Sequence, residues 1–132
     1  MLTTAIHFPG NCDEAISLYK DILGAEVKSI YYFKDAPADH GMEELPPNYV
    51  MHSEVEILGQ IFNLTDGGES HFTDDNFSFM IVKETADEVA KLYHDLSEGG
   101  KIIVELAPAF WASMYGMVMD RFGVCWQMMT PE

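Results

Sequence analysis

The feature that most constrains this chain is a repeat. Asp13-Glu14-Ala15-Ile16-Ser17-Leu18-Tyr19-Lys20-Asp21 returns as Asp87-Glu88-Val89-Ala90-Lys91-Leu92-Tyr93-His94-Asp95, with Asp, Glu, Leu, Tyr and Asp in register. Two amphipathic helices can resemble each other by chance. Here, however, each helix follows a strand and precedes three further strand-like segments, so duplication is the better account. A βαβββ unit has one apolar sheet face and only one helix to cover it. Two such units can pair their sheets into a curved, half-open barrel with helices outside and a concave face left for a ligand. The expected architecture is therefore α+β, with a module over residues 1–66, a linker over 67–75 and a second module over 76–132.

Local patterns support that order. Leu2 to Phe8 alternates and is broken by Pro9-Gly10-Asn11. A helix follows from about Asp13, with Asn11 as its expected cap, acidic residues in its first turn and Gly24 as its stop. Glu26–Phe33, Tyr49–Ile57 and Gln60–Thr65 read as strands from their β-branched and aromatic content. The intervening loop, Lys34 to Asn48, is long enough to suggest a function or mobility. In the second half, strands are expected at Asn76–Val82, Lys101–Leu106, Met114–Met119 and Val124–Met129. A helix is expected at Ala86–Ser97, stopped by Glu98-Gly99-Gly100, and Arg121-Phe122-Gly123 is the last turn.

Composition narrows the partners. The 132 residues carry 22 acidic groups against 7 Lys and Arg, for a net charge of −15. Such a surface repels nucleic-acid phosphate and anionic lipid, so neither is expected as a partner. The N-terminal residues lack the basic and apolar regions of a signal peptide, and no apolar run is long enough to span a membrane. Cys12 and Cys125 have no metal-type spacing, and two isolated thiols suggest a reducing cytoplasm.

Several strings resemble one family. Phe8-Pro9-Gly10-Asn11-Cys12-Asp13-Glu14-Ala15 resembles the opening strand-to-helix turn of PhnB-like proteins, a branch of the vicinal-oxygen-chelate superfamily. Val50-Met51-His52-Ser53-Glu54-Val55 resembles their central strand, and Leu96-Ser97-Glu98-Gly99-Gly100-Lys101 their second helix end. The run from Phe110 to Trp126 resembles their most characteristic stretch. The resemblance implies the glyoxalase, bleomycin-resistance and dihydroxybiphenyl-dioxygenase type of fold over one domain, residues 1–132, and a homodimer. The branch has also been labelled demethylubiquinone methyltransferase-like. No Gly-rich turn after a first strand offers a nucleotide-type cofactor site here.

Metal-dependent members of the superfamily draw four His or Glu ligands from the first and last strand of each half. By register those positions fall on Thr4, Asn63, Asn76 or Ser78, and Gln127. Hydroxyls and neutral amides are poor ligands for zinc, nickel, manganese or iron, so no metal or other cofactor is expected. Thr4, Asn63, Asn76 and Gln127 are instead candidate ligand-binding residues, joined by Trp111 and Tyr115. The aromatics Phe110, Trp111, Tyr115 and Trp126 suit either a pocket wall or a core. The nine methionines suit an adaptable apolar surface, with core filling as the plainer role.

Among the histidines, His7 is expected to turn toward the helix side of a regular strand, His40 and His71 lie in acidic loops, and His94 sits on an exposed helix face. His52, Glu54 and Glu56 share one face of a strand whose other face carries Met51, Val55 and Ile57. An imidazole flanked by carboxylates is the arrangement of a general base, so His52 and Glu54 are the candidate catalytic pair. The sequence thus supports a metal-free small-molecule binding protein, akin to the antibiotic-binding members of the superfamily. The alternatives are a glyoxalase-type lyase, isomerase or dioxygenase-like enzyme using His52 and Glu54, and an interaction module.

Overall fold

The computed structural model describes residues 1–38, 44–67 and 76–132, and the chain divides into two compact units, residues 1–71 and 72–132. His40 and His71, and the middle of the loop from Lys34 to Asn48, lie outside the described residues.

The first unit runs β1 (Thr4–Phe8), α1 (Cys12–Leu23), β2 (Glu26–Tyr32), a single 3-10 turn (Phe33–Asp35), β3 (Val50–Ile57) and β4 (Gln60–Asp66). The second runs β5 (Phe79–Val82), α2 (Ala86–Ser97), β6 (Lys101–Ala109), β7 (Ala112–Met119) and β8 (Cys125–Met129). The sheets have the same topology, β1-β4-β3-β2 and β5-β8-β7-β6. In each, the first strand lies parallel to the last and the other pairs are antiparallel. The repeat seen in the sequence extends to packing. Both helices have 12 residues, and Ala15 with Tyr19 in α1 and Val89 with Tyr93 in α2 take equivalent buried places. Gly24 ends α1 in the left-handed conformation: its N–H donates to the Lys20 carbonyl and the Ala25 N–H to that of Tyr19.

Each helix covers one face of its own sheet. In the first unit that face holds Phe8, Val50, Val55, Ile57, Phe62 and Leu64, all buried. In the second it holds Ile81, Val118, Trp126 and Met128. Gly116 marks the closest approach: a Cβ there would stand 2.9 Å from the Tyr93 ring of α2. Side chains alternate along a strand, so this fixes which residues point the other way.

Several expected boundaries move. Asn76 to Ser78 is not strand, since pairing with β8 begins at Phe79. β6 runs three residues past Leu106, and β7 starts at Ala112, because Ala109 still pairs with Ala112 across a tight turn. Asn11 sits at the cap position of α1 but makes no capping bond. Its role is taken by the buried Asp66, whose Oδ1 accepts from the backbone of Gly10 (3.0 Å) and Cys12 (2.9 Å). The Asp66 Oδ2 accepts from the Val50 N–H at 2.8 Å, so one carboxylate ties the start of α1, the start of β3 and the end of β4. Asp120 organises the last turn of the second unit. It accepts from the Phe122 and Val124 N–H groups and, at 2.9 Å, from the indole N–H of Trp126.

Candidate functional site

The face of each sheet that points away from its helix is the one that helix does not cover, although Cys125, Met117 and Met129 on it are buried in the second unit. In the second unit the register places Met80 and Val82 of β5, Cys125, Gln127 and Met129 of β8, and Tyr115, Met117 and Met119 of β7 on that face. None of these is charged. Lys101, opposite Met119 on the edge strand β6, is the first charge reached. Met80 and Val82 are 53% and 50% exposed, which is costly for apolar side chains unless something covers them.

A short polar chain crosses this apolar surface. The Tyr115 hydroxyl donates to the Gln127 Oε1 at 2.5 Å, and the Gln127 Nε2 donates to the Ser78 Oγ at 2.7 Å. Trp111 meets Tyr115 edge to face, with ring centroids 5.3 Å apart, and Phe110 meets Trp111 at 4.9 Å. Tyr115, Gln127 and Trp111 are thus brought together. Trp126 is core, 2% exposed and tied to Asp120. Asn76 is not part of the group: it lies exposed in a turn before β5, and Ser78 takes the place expected of it beside Gln127.

The corresponding face of the first unit is polar. Ala5 and His7 of β1 pair with Asn63 and Thr65 of β4, while Thr4 pairs with the buried Phe62. Two expectations therefore reverse. Thr4 turns toward the helix side and does not join Asn63, and His7 turns away from it. The His7 Nδ1 lies 2.7 Å from the Thr65 Oγ1. Asn63 donates to the Thr3 Oγ1 at 3.4 Å, so Thr3 occupies the position expected of Thr4. The parity is set by Phe8, the bulky residue buried at the end of β1.

His52, Glu54 and Glu56 do share this helix-free face, opposite Tyr31, Ser29 and Glu26 of β2. The Tyr31 ring lies roughly parallel to the His52 ring at 6.4 Å. Continuing the β3–β4 register past Val55–Phe62 sets Thr65 beside His52, consistent with the 2.5 Å bond from the Ser53 hydroxyl to the Leu64 carbonyl. His7, Thr65, His52 and Tyr31 then form one row across the sheet. Among the described residues His52 makes no hydrogen bond to Glu54 or Glu56. Glu56 lies instead 3.7 Å from Lys28, whose ammonium is held above its ordinary pKa by its hydrogen bond to Glu26 and by the charge of Glu56. The Cys12 thiol is pushed well above its usual range, first by burial and then by the charges of Asp66 and Asp13, so it is a packing residue and not a nucleophile.

Comparison with known proteins agrees with this architecture. The sequence pattern of the 3-demethylubiquinone-9 3-methyltransferase family matches residues 1–129. The chain belongs to this family. It is 28% identical to the protein YjdN of Escherichia coli over 95% of this chain and 91% of that one. The PhnB protein of Bacillus cereus superposes with a TM-score of 0.81 at 26% identity, covering 98% of both chains. The fosfomycin resistance protein FosX of Listeria monocytogenes shares the fold alone, with a TM-score of 0.69 at 8% identity over 100% of this chain and 93% of that one. The protein is thus a PhnB-like member of the vicinal-oxygen-chelate superfamily, with the α+β fold of the glyoxalase and bleomycin-resistance type.

The residues at the superfamily's metal positions do not fit a divalent ion. The amides of Gln127 and Asn63 are engaged with neighbouring hydroxyls, Thr4 faces the helix side and Asn76 lies outside the strands. Neutral amides and hydroxyls lack the basicity such ions select. Among the described residues no group of three or more His, Cys, Asp or Glu could hold a metal. The first strand-to-helix turn is equally unsuited to a nucleotide-type cofactor. In many nucleotide-binding folds that turn offers free amides to phosphate, but here the Gly10 and Cys12 amides already serve Asp66.

Proposed function

We propose that this PhnB-like protein binds a small molecule on the helix-free face of its second module, without the metal centre of its superfamily. The observation that carries the reading is the uncharged, methionine-rich face over β5, β8 and β7, crossed by the Tyr115–Gln127–Ser78 chain. In a chain of net charge −15 an uncharged face of this extent is not a general solvent surface. Thioether side chains adapt to varied apolar shapes, and a few convergent polar groups orient what binds. Trp111, 38% exposed against Tyr115, supplies an aromatic wall.

The test is Trp111→Ala together with Met80→Glu, read by calorimetric titration with aromatic probes. Each is expected to weaken binding about tenfold or more while the melting temperature stays within a few degrees. Unchanged affinity in both would remove the proposed face. Two exposed aromatics, Phe77 at 71% and Phe110 at 99%, support a homodimer, which light scattering on the native protein would test. Both cysteines are buried thiols outside any disulfide, consistent with a reducing cytoplasmic setting. Among the described residues no helix is long and apolar enough to cross a membrane.

A second reading, proton transfer by His52 with Glu54, gains one supporting observation: the register brings His7 into the same row as His52. Unchanged turnover of any substrate in His52→Ala would end it.

A further inference from the structure

The hydrogen bonds at the centre of the proposed face run in one direction. The Tyr115 hydroxyl donates to the Gln127 Oε1 at 2.5 Å, and the Gln127 Nε2 donates to the Ser78 Oγ at 2.7 Å. The Ser78 Oγ is then an acceptor for Gln127, which leaves its own O–H to donate outward. At the other end the Tyr115 oxygen, its proton committed to Gln127, offers lone pairs. The chain thus presents a donor at Ser78 and an acceptor at Tyr115, beside the exposed Met80 and Val82 and the buried Met117, none of which carries a formal charge.

We infer that this oriented chain selects an uncharged ligand with an aromatic body, whose hydrogen-bond acceptor faces the Ser78 hydroxyl. The inference rests on the second-module site proposed above and adds the class of molecule it takes. Charge decides against ionised ligands. A carboxylate or ammonium buried against methionine and valine would lose its hydration, and no side chain on β5, β7 or β8 of this face carries an opposing charge. A neutral carbonyl or amide loses far less and regains a hydrogen bond from Ser78. The aromatic body follows from the run Phe110–Trp111–Tyr115, where successive rings meet edge to face at 4.9 and 5.3 Å and end at the polar chain. A planar ligand continues that series, with its polar end reaching Gln127 and Ser78.

The experiment uses three probes with one body and different ends: indole-3-acetamide, indole-3-acetate and tryptamine, titrated into the full chain at pH 7. The expected result is that the amide binds at least about tenfold more tightly than either charged analogue, a difference of about 1.4 kcal/mol. Ser78→Ala should cut the amide's affinity about fivefold and leave that of tryptamine, which has no acceptor at that end, unchanged. Tyr115→Phe frees the Gln127 amide to turn over, so it should narrow the preference among the three probes. Melting temperatures of both variants, unchanged from the parent, keep these readings about binding. Equal affinity for all three probes, weakened together by Trp111→Ala, would overturn the ligand class and leave the site standing. Binding indifferent to Trp111→Ala would remove the site itself, and no binding by any probe would overturn the inference.

Discussion

The two modules are built on one plan and hold it together by different means. In the first, the Asp66 carboxylate ends β4 and gathers three backbone N–H groups, from Gly10, Cys12 and Val50. At the equivalent place in the second, Thr130 follows β8; its hydroxyl accepts from the Met114 N–H and shares a hydrogen bond with the Ser113 hydroxyl. The second helix is capped separately by its own Thr85, whose Oγ1 accepts from the Glu88 N–H at 3.2 Å. Their outer faces differ as much: His7, His52, Glu54 and Asn63 on one, methionines around Tyr115 and Gln127 on the other. Duplication preserves the element order and the helix packing, because both are needed to bury a core. The anchor and the helix-free side chains are free to diverge, and there the two halves differ.

This contrast can be broken experimentally, with the largest effect expected at Asp66. Asp66→Ala leaves three buried or half-buried N–H groups without their acceptor, and should cost about 3–5 kcal/mol in urea unfolding. Thr130→Val at the matching place should cost only about 1–2 kcal/mol, since fewer partners are lost. Similar losses at the two sites would contradict the asymmetry. Between these falls Asp120→Ala, expected to cost about 2–3 kcal/mol and to change Trp126 fluorescence as the indole N–H loses its acceptor.

The anchor also makes an alkaline signature specific to the first module. Burial and the charges of Asp66 and Asp13 raise the folded-state pKa of Cys12, so the unfolded thiol releases its proton first as pH rises. Its contribution is fully present below the unfolded pKa of about 8.5 and declines above it. Stability should therefore fall by roughly 1 kcal/mol per pH unit above about pH 9, and Cys12→Ser should flatten that limb. A slope unaltered by the substitution would remove Cys12 as its source. The smallest effect is at the surface: Lys28→Ala should leave the urea midpoint indistinguishable from the parent's, because Lys28 and its partners Glu26 and Glu56 are exposed.

How legible all this was depends on the range of the interactions. The repeat, both helices and most strands follow from local periodicity, and Gly24 and the Glu98–Gly100 stop act within one turn. The sides of β1 were not legible, because its parity depends on which residue is buried against α1. Phe8, bulky and next to Pro9, was the available signal: counting back from it turns His7 outward and Thr4 inward. Asp66, the last residue of the expected first module, carried no local sign of its role, since its three partners lie 16 to 56 residues away. Gln127 and Tyr115 were identifiable as candidates, but the bond from Gln127 to Ser78 needs the pairing of β5 with β8, a contact across 49 residues.

The central claim, a ligand on the helix-free face of the second module, is best tested by methyl NMR on protein labelled at its methionines. With saturating indole-3-acetamide, the methyls of Met80 and Met117 should shift most, while that of Met51 in the first module stays in place. Shifts confined to Met51, or none at any methionine, would contradict the account.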